Sequence, residues 1–218
     1  ITEKCTEEFN TIAIWCSNEK CDAIYPQSAD FTFYGGLYRG AHLICVPETH
    51  FELLHYGDLG IHAATEPASW DKENFMLHIR TKICGVEKDN QVIYQIFDED
   101  GKELASAARP ADSPDTSIPL YKPHRWDIKN GYQYTLKALI MRNNECLDEV
   151  ELKFGVRTFC CDPGRGFIIN GNCVPLRGVS RHQDKLYQGN ALTKEDHIRD
   201  AELIEEIGAN TVRLAHYQ

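Results

Sequence analysis

The residues with the most chemistry to offer lie near the end of the chain. His182 follows the run Arg177-Gly178-Val179-Ser180, and His216 follows Thr211-Val212-Arg213-Leu214. A neutral imidazole both donates and accepts a hydrogen bond, so two of them at matching places could hold hydroxyl groups. On residue types alone, two ordinary loop histidines is the simpler reading. No Cys or Asp stands beside them at ligand spacing, which makes the pair weak evidence for zinc. Arg213 is a fixed cation that could keep a buried carboxylate ionised or could close a structural ion pair. Glu195, Glu202, Glu205 and Glu206 lie in one stretch and read as a solvated helix face rather than a reacting pair. Asp30, after Ser28-Ala29, reads as a turn cap. Tyr34, Tyr38, Trp70 and Trp126 could stack on a ring, but packing into a core is the weightier reading for all four.

Nine cysteines complete the inventory. Their number is odd, their spacings are irregular, and no CxxC pair occurs, which argues against a zinc site. Cys160 and Cys161 are neighbours, a poor geometry for a structural disulfide. Scattered cysteines in a chain of this length are expected to be small buried hydrophobes in a reducing, cytoplasmic setting.

These groups need elements to position them. The first two-thirds of the chain reads as strands. Thr11 to Cys16 is a short apolar run, and Phe51 to Leu54 and Gly60 to Ala64 are extended candidates. Residues 75–83 and 91–97 alternate apolar and polar, the signature of half-buried strands. Asp100-Gly101 marks a turn after the second of these. Tyr132 to Met141 and Glu149 to Arg157 are two more strands, joined through Arg142-Asn143-Asn144-Glu145. Short strands at this spacing predict an antiparallel sandwich. Residues 105–123, rich in Ala, Ser, Asp and Pro, read as a loop or an edge crossing.

The pattern changes near Cys160. Asn170-Gly171 between two apolar runs predicts a hairpin. Thr193 with Asp196 forms a capping box, Ile198, Ala201, Ile204 and Ile207 form a stripe at helical spacing, and Gly208 is placed to end the helix. Thr211 to Leu214 follows as a strand. A strand, a capped helix and a strand predict a βαβ unit with parallel pairing.

Composition narrows the class of partner. Against 23 Lys and Arg stand 33 Asp and Glu, a net charge of −10. Such a chain repels phosphate backbones, so no nucleic acid partner is expected. No apolar run reaches the length of a membrane span, so no membrane partner is expected. No signal peptide is visible at Ile1.

Phe167 to Gln218, with the Asn-Gly hairpin, the stretch Arg177 to Asp184 (RGVSRHQD), the run Gly208 to Arg213 and the pair His216-Tyr217, resembles the opening of the catalytic barrel in family 2 glycoside hydrolases. Asp30 to Arg39 resembles the end of that family's jelly-roll domain. Trp126 to Leu139 with Phe154 to Arg157 resembles the last strands of its immunoglobulin-like domain, although Arg125 stands where an apolar residue is common. The RHQD and AHYQ wording is closer to the β-galactosidase type than to β-glucuronidases or β-mannosidases.

The resemblance implies a mainly β chain: an immunoglobulin-like antiparallel β-sandwich (47–158), preceded by the end of a jelly roll (1–46) and followed by the first βαβ unit of a truncated TIM barrel (159–218). It implies a retaining hydrolase of terminal β-galactosides, whose two carboxyl groups stand about 5–5.5 Å apart. In the family both are Glu on later barrel strands, so no catalytic residue is assigned here and the chain alone is expected to hydrolyse nothing. By position, Asp30, His182, Arg213 and His216 are the expected substrate-binding residues, with His182 and His216 past the ends of neighbouring barrel strands. No cofactor is expected within these residues. The whole enzyme leaves room for an alkali or divalent cation and for a homo-oligomer. The open strand edges and an uncovered helix face are expected consequences of a barrel begun but not closed. The competing reading is a non-catalytic immunoglobulin-like module that binds carbohydrate or protein; a strand–helix–strand at its end speaks against it.

Overall fold

The computed structural model describes residues 2–23, 32–54 and 57–215. In chain order the strands are β1 (His50–Phe51), β2 (Ile61–Ala68), β3 (Asp71–Thr81), β4 (Ile83–Cys84), β5 (Gln91–Phe97), β6 (Glu103–Pro110) and β7 (Thr116–Leu120). They continue with β8 (Tyr134–Arg142), β9 (Glu145–Phe154), β10 (Phe159–Asp162), β11 (Gly166–Ile169), β12 (Asn172–Cys173) and β13 (Gly178–Arg181). Helix α1 (Lys194–Glu206) and strand β14 (Thr211–Leu214) close the order. The chain is mainly β. It divides into two compact units, Ile44–Leu176 and, separately, Ile1–Leu43 with Arg177–Gln218. No helix among the described residues is long and apolar enough to cross a membrane.

The first unit is the predicted immunoglobulin-like sandwich. Three strands in the order β2-β3-β7 form one sheet and four in the order β6-β5-β8-β9 form the other. All pairs in both sheets are antiparallel. Alternation along β5 and β8 buries every second side chain, as the period-2 pattern requires. Phe75, Leu77 and Ile79 of one sheet meet Val92, Tyr94, Ile96, Leu136 and Ile140 of the other in a continuous core. Tyr94 enters that core without an orphaned hydroxyl, which shares a hydrogen bond with Thr81 Oγ1 (2.7 Å) and donates to Pro114 O (2.9 Å).

The turns follow from their residues. Asn143 and Asn144 both take positive φ (49° and 68°) and join β8 to β9. Asn170 and Gly171 do the same (49° and 85°) between β11 and β12. Two successive left-handed residues match the twist of a two-residue hairpin, and Asn and Gly reach that region at least cost. Residues 159–173 make a small antiparallel sheet, β10-β11-β12, inside the sandwich unit. Asn170 fastens it: Nδ2 donates to Trp126 O (2.9 Å) and Oδ1 accepts from Thr158 N (3.1 Å).

Several expectations are corrected. Residues 105–123 are not a loop, because β6 and β7 occupy most of them. Each lies at the edge of its sheet, where small residues and Pro119 are tolerated. Thr11 to Cys16 forms no strand; its side chains are exposed and it has no ladder partner among the described residues. The cysteines are not buried hydrophobes. Eight are exposed and Cys84 is half-buried. Tyr34, Tyr38 and Trp70 are likewise exposed rather than core residues. Trp126 is half-buried, with the Arg157 guanidinium 4.9 Å from its ring centroid.

Candidate functional site

The site is built on one parallel strand pair. β13 and β14 run side by side with Val179 opposite Val212, Ser180 opposite Arg213 and Arg181 opposite Leu214. This is the βαβ unit predicted from the capped helix between two strands. Gly178 permits the close approach at its start, since a Cβ there would lie 2.9 Å from Thr211 O. The ladder extends one step beyond the strands, where Ala215 N donates to Arg181 O (3.0 Å). His182 is therefore the first residue beyond the C-terminal end of β13, and it is half-buried.

Helix α1 is fixed at both ends by local chemistry. Thr193 Oγ1 accepts from Asp196 N, and the Asp196 carboxylate accepts from Thr193 N, a complete capping box. At the other end Gly208 takes φ +80°; its N–H donates to Glu205 O (2.8 Å), and Ala209 N donates to Ile204 O (3.2 Å). These two bonds are the Schellman closure that a glycine after the last turn allows.

The helix meets the strand pair through charge rather than apolar surface. Its least exposed residues are Asp196, Asp200 and Ile204, one face at fourfold spacing, and none of its residues is fully buried. Asp200 Oδ2 accepts from Arg181 Nε (2.8 Å) and Nη2 (2.5 Å). Asp196 pairs with Lys185, on the loop that follows His182, and accepts from Gln188 Nε2 (2.8 Å). The Lys185 ammonium, with the Thr193 amide and Gln188, holds the Asp196 carboxyl well below the usual carboxylate range. Its contribution is thus present at neutral pH and is lost only as acid titrates that group. Ile198, Ala201 and Ile207 of the expected stripe remain exposed.

On the other side of His182, the buried Gln183 accepts from Arg39 Nη2 (2.7 Å). Tyr34 packs on Gly189, where a Cβ would lie 2.9 Å from its ring. Arg39 and Tyr34 also line an open groove of about 520 Å³ with Trp15 and Asn18.

Of the four residues expected to bind substrate, the structure describes two. His182 stands at the end of β13. Arg213 is exposed on β14, in register with Ser180, two positions before His182. Asp30 and His216 lie outside the described residues. Glu195, Glu202, Glu205 and Glu206 are all exposed, and Glu202 pairs with Arg199 at 3.0 Å. Among the described residues no group of three His, Cys, Asp or Glu could hold a metal ion. The sequence reading missed Arg39, Arg181, Gln183, Lys185, His197 and Asp200. For Asp200 a signal existed, because it lies four residues after the capping Asp196 and so on the same helix face.

Comparison with known proteins agrees with this geometry. The family model described as glycosyl hydrolases family 2, TIM barrel domain, matches residues 163–218, and the model described as glycosyl hydrolases family 2 matches residues 65–157. The chain is 31% identical to a β-glucuronidase of Bacteroides fragilis over 96% of its own length and 31% of that protein's. It is 28% identical to a β-galactosidase of Bacteroides ovatus over 75% of its length and 20% of that protein's. A solved structure titled as an FMN-binding β-glucuronidase from Facaelibacterium prausnitzii L2-6 superposes with TM-score 0.88 at 49% identity. It covers 93% of this chain and 31% of that one. The chain thus spans between a fifth and a third of the length of these relatives. The expected β-galactosidase type does not follow from these similarities, in which β-glucuronidases stand at higher identity. With both domain models matched in order and a parallel β13–α1–β14 unit beneath the second, the chain belongs to family 2 of the glycosyl hydrolases.

Proposed function

We propose that these residues form part of a longer retaining β-glycosidase whose substrate is a terminal β-glucuronide. The observation that carries the choice of sugar is the 49% identity, over 93% of the chain, to a protein titled β-glucuronidase. In this reading residues 1–46 end a jelly-roll domain, 47–158 are the bracing sandwich and 159–218 open the catalytic barrel. Barrel active sites form beyond the C-terminal ends of the strands, which is where His182 stands. Its imidazole holds a sugar hydroxyl, together with His216 and Asp30. Arg213 supplies a cation for the carboxylate that attacks the anomeric carbon.

Hydrolysis with retention needs one carboxyl group to protonate the leaving oxygen and a second to form the covalent glycosyl-enzyme, which water then cleaves. Both belong to polypeptide outside these 218 residues, so the chain alone has no turnover. A second reading, a β-galactoside substrate, is favoured by the similarity to the Bacteroides ovatus β-galactosidase. The test is kcat/KM of the complete protein on p-nitrophenyl β-D-glucuronide and on p-nitrophenyl β-D-galactoside. A preference for the galactoside overturns the glucuronide reading, and hydrolysis of neither overturns both.

A further inference from the structure

His182 is a loop residue by position, yet both of its neighbours are tied down by side-chain bonds to distant parts of the chain. Arg181 is held twice. Its carbonyl accepts from Ala215 N (3.0 Å), which locks the backbone to the end of β14. Its side chain is 12% exposed, and the guanidinium donates twice to Asp200 Oδ2 and once to His197 Nδ1 (2.9 Å). The last bond leaves His197 Nδ1 as the acceptor and places the ring proton on Nε2. His197 and Asp200 are three residues apart on one helix face, so a single guanidinium spans both. Gln183 is held independently, by Arg39, which lies 144 positions earlier in the chain.

We propose that Arg181 with Asp200 and His197, and Gln183 with Arg39, are positioning residues that bracket His182 and fix the imidazole for sugar binding. This inference rests on the reading of His182 as a substrate contact. None of the five touches substrate. They act by removing the freedom of the backbone on either side of one residue, as a reacting geometry held within a fraction of an ångström requires. Docking of the helix alone would explain Arg181 and Asp200, but not the second, unrelated anchor at Gln183.

A double-mutant cycle in the complete protein separates positioning from mere support. Wild type, His182→Ala, Asp200→Asn and the double variant are compared by kcat and KM on p-nitrophenyl β-D-glucuronide. Asp200→Asn alone is expected to lower kcat/KM by about tenfold to a hundredfold, the cost of a misplaced contact. In the His182→Ala background the same change is expected to cost less than about threefold, because there is nothing left to position. Asp200→Glu recovers part of the loss. If Asp200→Asn fails to fold, Gln183→Ala takes its place in the same cycle with the same expected non-additivity. Equal losses in both backgrounds, or no loss in wild type, overturn the inference while leaving the sugar contact intact. A silent His182→Ala removes the sugar contact, and the inference with it.

Discussion

The sandwich and the β13–α1–β14 unit solve the same problem with different forces. In the sandwich, seventeen buried apolar side chains among the described residues share one core, and the Tyr94 hydroxyl enters it paired with Thr81 and Pro114. In the βαβ unit no helix residue is buried, and Arg181–Asp200 and Lys185–Asp196 do the joining. Burial is non-directional and scales with area, so it makes a sturdy frame. Ion pairs are directional and set the angle and register of what they join, at little net gain in stability where water reaches them. The contrast teaches that the frame is held by buried area, and the order of the site by the direction of a few charges.

The comparison breaks most readily in the core. Leu136→Ala removes a fully buried side chain and is expected to cost about 2–5 kcal/mol, read as a fall in the urea midpoint of the sandwich. If the two regions are held by different forces, amide exchange in α1 stays unchanged in that variant.

Alkali is the next lever. Burial pushes the hydroxyls of Tyr94 and Tyr134 up to about 12. A raised folded value means that the sandwich holds its full stability below the ordinary tyrosine value of about 10 and loses it as pH climbs toward 12. Urea unfolding across that window measures the loss, and Tyr94→Phe is expected to shrink it.

Smaller effects sharpen the other side. Thr193→Ala removes the cap and is expected to cost about 1 kcal/mol of helix stability, visible as faster exchange of the first-turn amides and no change in the sandwich midpoint. Raising salt from 0.1 M to 1 M shortens the screening length from about 10 Å to about 3 Å. It should loosen α1 by no more than about 1 kcal/mol and leave the sandwich untouched. A sandwich that softens with salt as α1 does would erase the distinction.

What the sequence disclosed follows the same division. Local rules were readable: the bounds of β5 at Gln91 and Phe97, the two Asn-led hairpins, and the Thr193–Asp196 cap each depend on residues within one turn of one another. Strands β6 and β7 escaped because edge positions accept Ala, Ser and Pro, whose types signal loops. Thr11 to Cys16 misled because apolar residues make a strand only when another strand lies beside them. The apolar stripe of α1 pointed to one face, while the face that makes the contacts is marked by Asp196 and Asp200. At the site, the place of His182 at a strand end came from the resemblance of Arg177 to Asp184 to the family's barrel opening. Arg39 and Gln183 were not, since nothing local in either residue names a partner 144 positions away.

Asn170 gives the molecule a way to age. It is followed by Gly171, the neighbour that least hinders an asparagine side chain from closing on the next backbone nitrogen and losing ammonia. Where water opens that ring at its side-chain carbonyl, an acid stands where the amide stood, and the atom that donated to Trp126 O becomes an oxygen facing another oxygen. Loss of a single ammonia would therefore turn the clasp of a three-stranded sheet into a repulsion.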